Sequence, residues 1–215
     1  MNNNETSKLV YKLRDHMIKK NIYDLRYKDT RFMFNKYRSP DGALGFFVLC
    51  KKNKFLIKKS INLSADLFNK KLESSNTKKL ISLLEFDCKL SDIENIKTLS
   101  NRIQDKFEDY TEKILKKDSE TLHSNKKEMN DFDFKWNNIT IEVKSDQWKY
   151  TGNIALELLR DYNDSYERNI GSIIKTKADF WQEYYYDRKK DEVSSEMFYV
   201  KDLKDEVSKI LFECI

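Results

Sequence analysis

Two aspartates, a glutamate and a lysine stand close together in the chain, as Asp131, Asp133, Glu142 and Lys144. Carboxylate oxygens are the ligands that Mg²⁺ and Mn²⁺ prefer in proteins. An ammonium group beside a bound cation can orient an attacking water or neutralise negative charge in a transition state. These residue types therefore suit metal-assisted chemistry, provided that the chain brings them to one face.

The segment that carries these four residues is predicted to be a β-hairpin. Residues 131–136 alternate polar and apolar, Asn137-Asn138 favours a two-residue turn, and residues 139–144 alternate again. Directly opposed residues share a face, so one face of this hairpin is apolar. The other face is polar and holds two cross-strand pairs: Asp133 with Glu142, and Asp131 with Lys144.

Two carboxylates that face each other across a ladder repel and destabilise the hairpin. A divalent cation between Asp133 and Glu142 would remove that conflict. The alternative is an ordinary amphipathic hairpin whose charged side chains point into solvent. Both interpretations fit the spacing alone, so the surrounding elements must decide between them.

The elements around the hairpin follow from periodicity. Ser91 and Glu94 have the spacing of a capping box, and apolar residues then recur at helical steps, which predicts a long amphipathic helix that ends near Lys117. Further on, the sequence predicts a strand over 153–159, a strand over 197–200 and a helix over 201–212.

Residues 1–90 are expected to form a separate basic module. They hold 20 Lys/Arg and 9 Asp/Glu, whereas residues 91–215 hold 21 Lys/Arg and 27 Asp/Glu. A basic half joined to an acidic half is expected if the first half grips a polyanion and the second gathers carboxylates around a cation. The alternative is that the lysines serve only solubility. The domain boundary is predicted near residue 90.

Within the basic module the secondary structure is less regular. Residues 6–37 begin as a helix and become aromatic and irregular from Tyr23 onward. The turn signal at 39–42 precedes a predicted hairpin of 43–50 with 55–58. Residues 64–88 are predicted to form two short helices, separated by the polar stretch 73–79.

Composition excludes several classes of protein. Of the 215 residues 39% are hydrophobic, and no 18-residue apolar run is present, so we expect no membrane span. The first residues lack the order of a secretion signal. The cysteines are odd in number and widely spaced, and CxxC is absent, which argues against a disulfide framework and a zinc site. We expect a cytoplasmic protein, in a host cell if a phage or virus encodes it.

The ordered set of residues resembles the core of the PD-(D/E)XK nucleases, which include restriction endonucleases, Holliday-junction resolvases and phage exonucleases. The likeness lies in an Asp, a turn and Glu142-Val143-Lys144, preceded by a helix with Glu108 and, in reserve, Glu112. It continues through Thr151-Gly152-Asn153 and the run 171–181, as in small phage- and virus-type members. It covers roughly residues 100–205.

This resemblance implies a central mixed sheet flanked by helices, and a metal-dependent nuclease that hydrolyses phosphodiester bonds with Mg²⁺ or Mn²⁺. No proline precedes either aspartate, and the distance from them to the glutamate is short, so both aspartates stay candidates. The implied roles are these: a metal set of Asp133, Asp131, Glu142 and Val143, assistance to the attacking water by Lys144, and a further carboxylate from Glu108.

Three residues are candidate nucleic-acid contacts. Asn153 follows a turn in which Gly152 allows close backbone approach to a phosphate. Lys175 and Lys177 stand where a predicted strand ends. Trp181 and the tyrosines after it more often pack in a core than stack on bases. DNA is favoured over RNA because most members of the resembled group cut DNA.

Rival hypotheses remain beside the nuclease. One is a protein that binds nucleic acid on the same fold without cutting it, and another is an interaction module with a solvated hairpin. An RNA endonuclease would use the same residues. Endonuclease and exonuclease activity both fit them, as do a monomer and a homodimer.

Overall fold

The chain is described by a computed structural model over residues 3–35, 44–55, 57, 60–68, 72, 74–96, 102–118, 121–123, 131–147, 151–161 and 170–215. Helices and sheets are both present, so the fold is α+β, as expected. In the part of the chain that is described, no helix is long and apolar enough to cross a membrane. The predicted turn at 39–42 lies outside the described residues.

The helices are α1 (Asn3–Lys19), α2 (Ile61–Phe68), α3 (Ser74–Leu84), α4 (Leu90–Glu94), α5 (Ile103–Lys116), α6 (Ser172–Lys175) and α7 (Val200–Cys214). The strands are β1 (Asp24–Tyr27), β2 (Thr30–Phe34), β3 (Leu44–Lys51), β4 (Phe86–Cys88), β5 (Thr121–His123), β6 (Phe134–Trp136), β7 (Ile139–Asp146), β8 (Asn153–Asp161), β9 (Phe180–Asp187) and β10 (Glu192–Tyr199).

The chain forms two compact units that interleave along the sequence. Unit 1 comprises Met1–Lys54, Gly152–Thr176 and Asp202–Ile215, and unit 2 comprises Phe55–Thr151 and Lys177–Lys201. This division differs from the predicted one, 1–90 and 91–215, because β3 pairs with β8, a strand from far along the chain. The charge asymmetry is smaller between the units than between the predicted halves: unit 1 holds 18 Lys/Arg and 13 Asp/Glu, and unit 2 holds 23 of each.

Unit 1 is built on an antiparallel sheet with the described strand order β1-β2-β3-β8. The helix α1 buries Val10, Leu13 and Met17. The spacing of the sequence predicts Leu9, Leu13 and Met17 as its apolar positions, of which Leu9 is only half-buried. The segment expected to be irregular after Tyr23 is instead the β1–β2 hairpin, in which Lys28 has a φ of 52°. The hairpin predicted from 43–50 and 55–58 is wrong, because β3 runs into a 3-10 turn at Lys52–Phe55.

Unit 2 is built on a mixed sheet with the described strand order β4-β10-β9-β7-β6-β5. β7 and β9 are parallel, and the other neighbours are antiparallel. The helix α5 packs on this sheet through Phe107, whose ring stacks on Tyr184 with centroids 4.5 Å apart. β7 therefore has hydrogen-bonded strands on both sides and a helix against it, which is a rigid place for functional side chains.

The helices of unit 2 correct two predictions. The long helix expected from Ser91 is divided into α4 and α5, and the capping box is wrong. Ser91 lies inside α4 and gives both its backbone N–H and its hydroxyl to the Asp191 carboxylate, at 2.7 and 2.8 Å. The two short helices of 64–88 are confirmed as α2 and α3, but most of the polar stretch 73–79 is inside α3 and not between them.

The last two elements agree with the sequence in part. Of the strand predicted over 197–200, residues 197–199 are the end of β10, whose first part, 192–196, was not predicted. Val200 begins α7, the helix predicted over 201–212. The strand predicted over 153–159 is β8.

Candidate functional site

The predicted hairpin is confirmed in its turn and register. β6 and β7 pair Trp136 with Ile139 and Phe134 with Ile141. Asn137 and Asn138 have φ values of 45° and 65°, the left-handed conformation that a two-residue hairpin turn of this kind requires. Asparagine tolerates that conformation better than other non-glycine residues, so this local sequence determines the register.

The ladder ends one residue before the predicted pair of carboxylates. The backbone N–H of Asp133 donates to the Ile141 carbonyl oxygen at 2.9 Å, which departs from the register of the pairs that follow. The Asp133 carboxylate then accepts the backbone N–H of Val143 at 2.7 Å. The side chain thus replaces a backbone acceptor, and this hydrogen bond holds the carboxylate beside β7.

Lys144 lies among three oxygen atoms. Its Nζ is 2.5 Å from Glu142 Oε1, 3.0 Å from the Val143 carbonyl oxygen and 3.7 Å from Asp133 Oδ2. The ring of Trp181 lies on another side, with its centroid 5.8 Å from Nζ. Glu142 is only 6% exposed, so its charge needs this partner. The structure therefore brings together Asp133, Glu142 and Lys144. The hairpin pattern predicted Asp133 beside Glu142, but it placed Asp131 opposite Lys144, and that part is wrong.

The charge of Lys144 is fixed by these neighbours. Burial acts to lower the pKa of Lys144, but the carboxylates of Glu142, Asp133 and Glu108 outweigh it and raise that pKa above its ordinary value. Lys144 is therefore an ammonium at neutral pH. In this state it can donate hydrogen bonds and stabilise negative charge, but it has no lone pair with which to act as a base.

Glu108 reaches the same place from α5. Burial raises the pKa of Glu108 above its ordinary value. The hydrogen bond from Gln104 lowers this pKa and the charge of Asp133 raises it, and both effects are smaller than that of burial. Gln104 Nε2 donates to Glu108 Oε1 at 2.9 Å and to the Val143 carbonyl oxygen at 2.8 Å. Sequence reasoning missed Gln104; its position one helical turn before Glu108 is the signal that could have identified it.

The donor set suits a hard divalent cation. The oxygens of Asp133, Glu142 and Val143 surround a single positive group, Lys144, and these three residues belong to the predicted metal set. Among the described residues, no three His, Cys, Asp or Glu side chains converge closely enough to hold an ion in their present positions. A cation at this place would therefore have to displace the ammonium from the carboxylates.

Asp131 is engaged elsewhere. Its Oδ2 lies 2.9 Å from Lys177 Nζ, and its carbonyl oxygen accepts the Lys177 backbone N–H at 2.6 Å. Asp133, and not Asp131, is thus the aspartate that contacts Lys144. Lys177, predicted to contact phosphate, has an exposed side chain whose ammonium is bound to Asp131.

Asp179 belongs to the run 171–181 that carries the resemblance, but the sequence assigned it no role. Its Oδ2 accepts both the backbone N–H and the hydroxyl of Thr140, each at 2.9 Å, and its own N–H returns to the Thr140 carbonyl oxygen at the same distance. These bonds tie the start of β9 to β7. They fix the parallel register that places Glu142 beside Trp181.

Asn153 and Lys175 belong to unit 1, whereas the cluster of Asp133, Glu142 and Lys144 belongs to unit 2. Asn153 begins β8 and pairs with Lys51, after a turn in which Gly152 has the expected positive φ, 64°. Lys175 ends the short helix α6 and does not follow a strand, so that part of the prediction is wrong.

The aromatic residues of β9 are core residues, which confirms the packing interpretation. Trp181, Tyr184, Tyr185 and Tyr186 are all buried. Between them lies Glu183, whose carboxyl oxygen Oε2 accepts the Trp181 indole N–H at 2.7 Å. Burial raises the pKa of Glu183 to about 8. Glu183 pairs in register with Lys144, so it lies beside the candidate site in the sheet.

Comparison of the chain with family models, with curated proteins and with solved structures finds no match. The likeness to the PD-(D/E)XK nucleases therefore depends on the sequence pattern alone.

Proposed function

We propose that this chain is a divalent-metal-dependent nuclease that hydrolyses phosphodiester bonds, with DNA as its substrate. The observation that supports this proposal most directly is the arrangement around Lys144. Two carboxylates and a backbone carbonyl from one strand and its hairpin partner face a single ammonium. An amphipathic hairpin with a solvated polar face would not bury Glu142 to 6% exposure.

Each residue has a role that follows from its position. Asp133, Glu142 and the Val143 carbonyl would hold Mg²⁺ or Mn²⁺, with Glu108 as a further carboxylate from α5. Such a cation supplies an activated water and stabilises charge on the phosphoryl oxygens. Lys144, as an ammonium, would orient the attacking water through a hydrogen bond and neutralise negative charge that develops on the phosphate.

A cleavage assay tests this proposal. Single-stranded, duplex and branched DNA and an RNA strand are incubated with the chain and Mn²⁺, with and without a chelator. We expect chelator-sensitive cleavage of DNA. Cleavage of RNA alone would identify an RNA endonuclease, and binding without cleavage of any strand would favour the non-catalytic alternative.

Substitutions locate the activity. Glu142→Gln should abolish cleavage, because the amide cannot replace the carboxylate as a cation ligand. The variant should still fold and bind nucleic acid, with a lower melting temperature because the ion pair with Lys144 is lost. Glu94→Gln is the matched control: Glu94 forms an ion pair with Arg188, away from the residues of the site. Cleavage by Glu142→Gln within a few-fold of the unsubstituted chain would show that the site is misassigned.

A further inference from the structure

We propose that Gln104 and Ser145 form a positioning pair that holds the Val143 carbonyl and the Glu108 carboxylate in place for cation binding. This inference rests on the proposed function. Gln104 Nε2 donates to both acceptors, at 2.8 Å to the Val143 carbonyl oxygen and 2.9 Å to Glu108 Oε1. Its amide oxygen accepts the Ser145 hydroxyl at 2.9 Å. One amide group thus connects α5 with Val143 and Ser145 of β7.

The chemistry of these groups allows only one orientation of the amide. The Val143 carbonyl and a Glu108 carboxylate are acceptors, so they require the NH₂ end of Gln104. A reversed amide would place its oxygen against both of them. The Ser145 hydroxyl can rotate to donate to the amide oxygen, and it completes the set of hydrogen bonds that this orientation needs.

The Val143 carbonyl oxygen has two lone pairs, and two side chains donate hydrogen bonds to it. One donor is Gln104, held by further bonds to Glu108 and Ser145. The other is Lys144, whose Nζ is 3.0 Å away and which also serves the Glu142 carboxylate. A cation that takes the place of the ammonium would use the lone pair that Lys144 leaves, while Gln104 keeps the carbonyl aimed at the site.

The consequence is that Gln104 acts on cation affinity without touching the cation. Residues that orient metal ligands through hydrogen bonds typically contribute about 10- to 100-fold in metal affinity. Ser145 acts only through Gln104, so its removal should matter only while Gln104 is present. This dependence distinguishes a positioning pair from two separate packing contacts.

Calorimetric titration with Mn²⁺ on the full chain tests the inference. Gln104→Met keeps the length and volume of the side chain but removes its donors. We expect it to weaken Mn²⁺ binding by about 10- to 100-fold, and Ser145→Ala to weaken it less. The double variant should equal Gln104→Met. Gln147→Met is the matched control, because Gln147 is exposed and donates to the Tyr186 hydroxyl.

Thermal unfolding in the absence of metal accompanies each titration. A Gln104→Met chain that unfolds like the unsubstituted chain and binds Mn²⁺ equally well overturns the inference. If Gln104→Met does not fold, Ser145→Ala decides, and unchanged Mn²⁺ affinity in that variant overturns the inference. If the unsubstituted chain binds no Mn²⁺, the proposed function itself fails. Loss of binding in Glu142→Gln with normal binding in Gln104→Met would overturn only the positioning role.

Discussion

Replacing Lys144 by methionine should separate cation binding from cleavage. In this structure the Lys144 ammonium forms ion pairs with Glu142 and Asp133 and donates a hydrogen bond to the Val143 carbonyl oxygen. A divalent cation that uses the same oxygens must displace it. Lys144→Met removes this competitor and leaves the carboxylates without a partner. We therefore expect the variant to bind Mn²⁺ more tightly than the unsubstituted chain and to cleave nothing, since it lacks the donor for the water and the phosphate.

The size of the effect follows from the burial of the pair. Breaking a buried ion pair costs about 3 to 5 kcal/mol. The Lys144 side chain is 29% exposed and that of Glu142 is 8% exposed, so the lower end, about 3 kcal/mol, applies. Without metal, the melting temperature should then fall by about 6 to 12 °C for a chain of this size. In the variant a bound cation restores this free energy by replacing the missing ammonium. The Kd for Mn²⁺ should therefore be about 100-fold lower in Lys144→Met than in the unsubstituted chain.

Calorimetric titration and thermal unfolding with and without Mn²⁺ measure both quantities. The control is Lys135→Met, the same change on β6, where Lys135 pairs with Thr140. We expect that variant to bind Mn²⁺ and to melt like the unsubstituted chain. Equal or weaker Mn²⁺ affinity in Lys144→Met would refute the idea that the ammonium and the cation compete for one set of oxygens.

Three further outcomes are expected. Asp133→Ala should abolish Mn²⁺-dependent cleavage and Asp131→Ala should reduce it much less, measured as initial rates; equal decreases would contradict the observed hydrogen bonds. The folded carboxyl of Glu183 keeps its proton up to about pH 8, whereas the unfolded one loses it near 4.5. Stability should therefore fall as pH rises through that window, by at most about 1.4 kcal/mol per pH unit, and Glu183→Gln should remove this slope in denaturant titrations. Changing exposed lysines of α1 to glutamine should make the binding of duplex DNA less sensitive to salt. The slope of log binding constant against log salt concentration should decrease in magnitude by about 0.9 for each phosphate that is no longer neutralised. An unchanged slope would show that other residues bind the phosphates. Those lysines are Lys8, Lys12 and Lys19.

The hairpin could be predicted because its determinants are local. Alternation of polar and apolar residues defines the two strands, and Asn137-Asn138 supplies the left-handed turn. The same locality explains why β8, the end of β10 and α7 agree with the sequence. The β1–β2 hairpin was missed because its positive φ falls on Lys28, a residue type that does not signal this conformation.

The remaining differences come from interactions between distant segments. Ser91 and Glu94 have the spacing of a capping box, but Asp191 binds both donors of Ser91 instead. The boundary near residue 90 was expected from charge, whereas the units follow the pairing of β3 with β8. A fragment that starts near Ser91 would lack β3, so the salt dependence of binding must be tested on the full chain. Periodicity contains no information about such partners.

The choice between Asp131 and Asp133 illustrates what the structure adds to a correct pattern. Both aspartates are on the polar face predicted from the alternation. The departure from the register at Asp133 places its carboxylate on the Val143 N–H, within 3.7 Å of Lys144 Nζ. Asp131, two residues earlier, is bound to Lys177 through both its backbone and its side chain. A single irregular hydrogen bond at the end of a ladder thus determines which carboxylate can serve with Glu142.

The place of the cluster on β7 gives the proposed chemistry its physical basis. β7 is hydrogen-bonded to β6 and β9, so the sheet fixes the backbone positions from which Glu142 and Lys144 project. Glu142 and Lys144 share a face by the period of the strand, and Asp133 and Glu108 approach from a hairpin partner and a helix. The carboxylates that converge here repel one another. They require a positive charge at all times, and Lys144 supplies it whenever a cation does not.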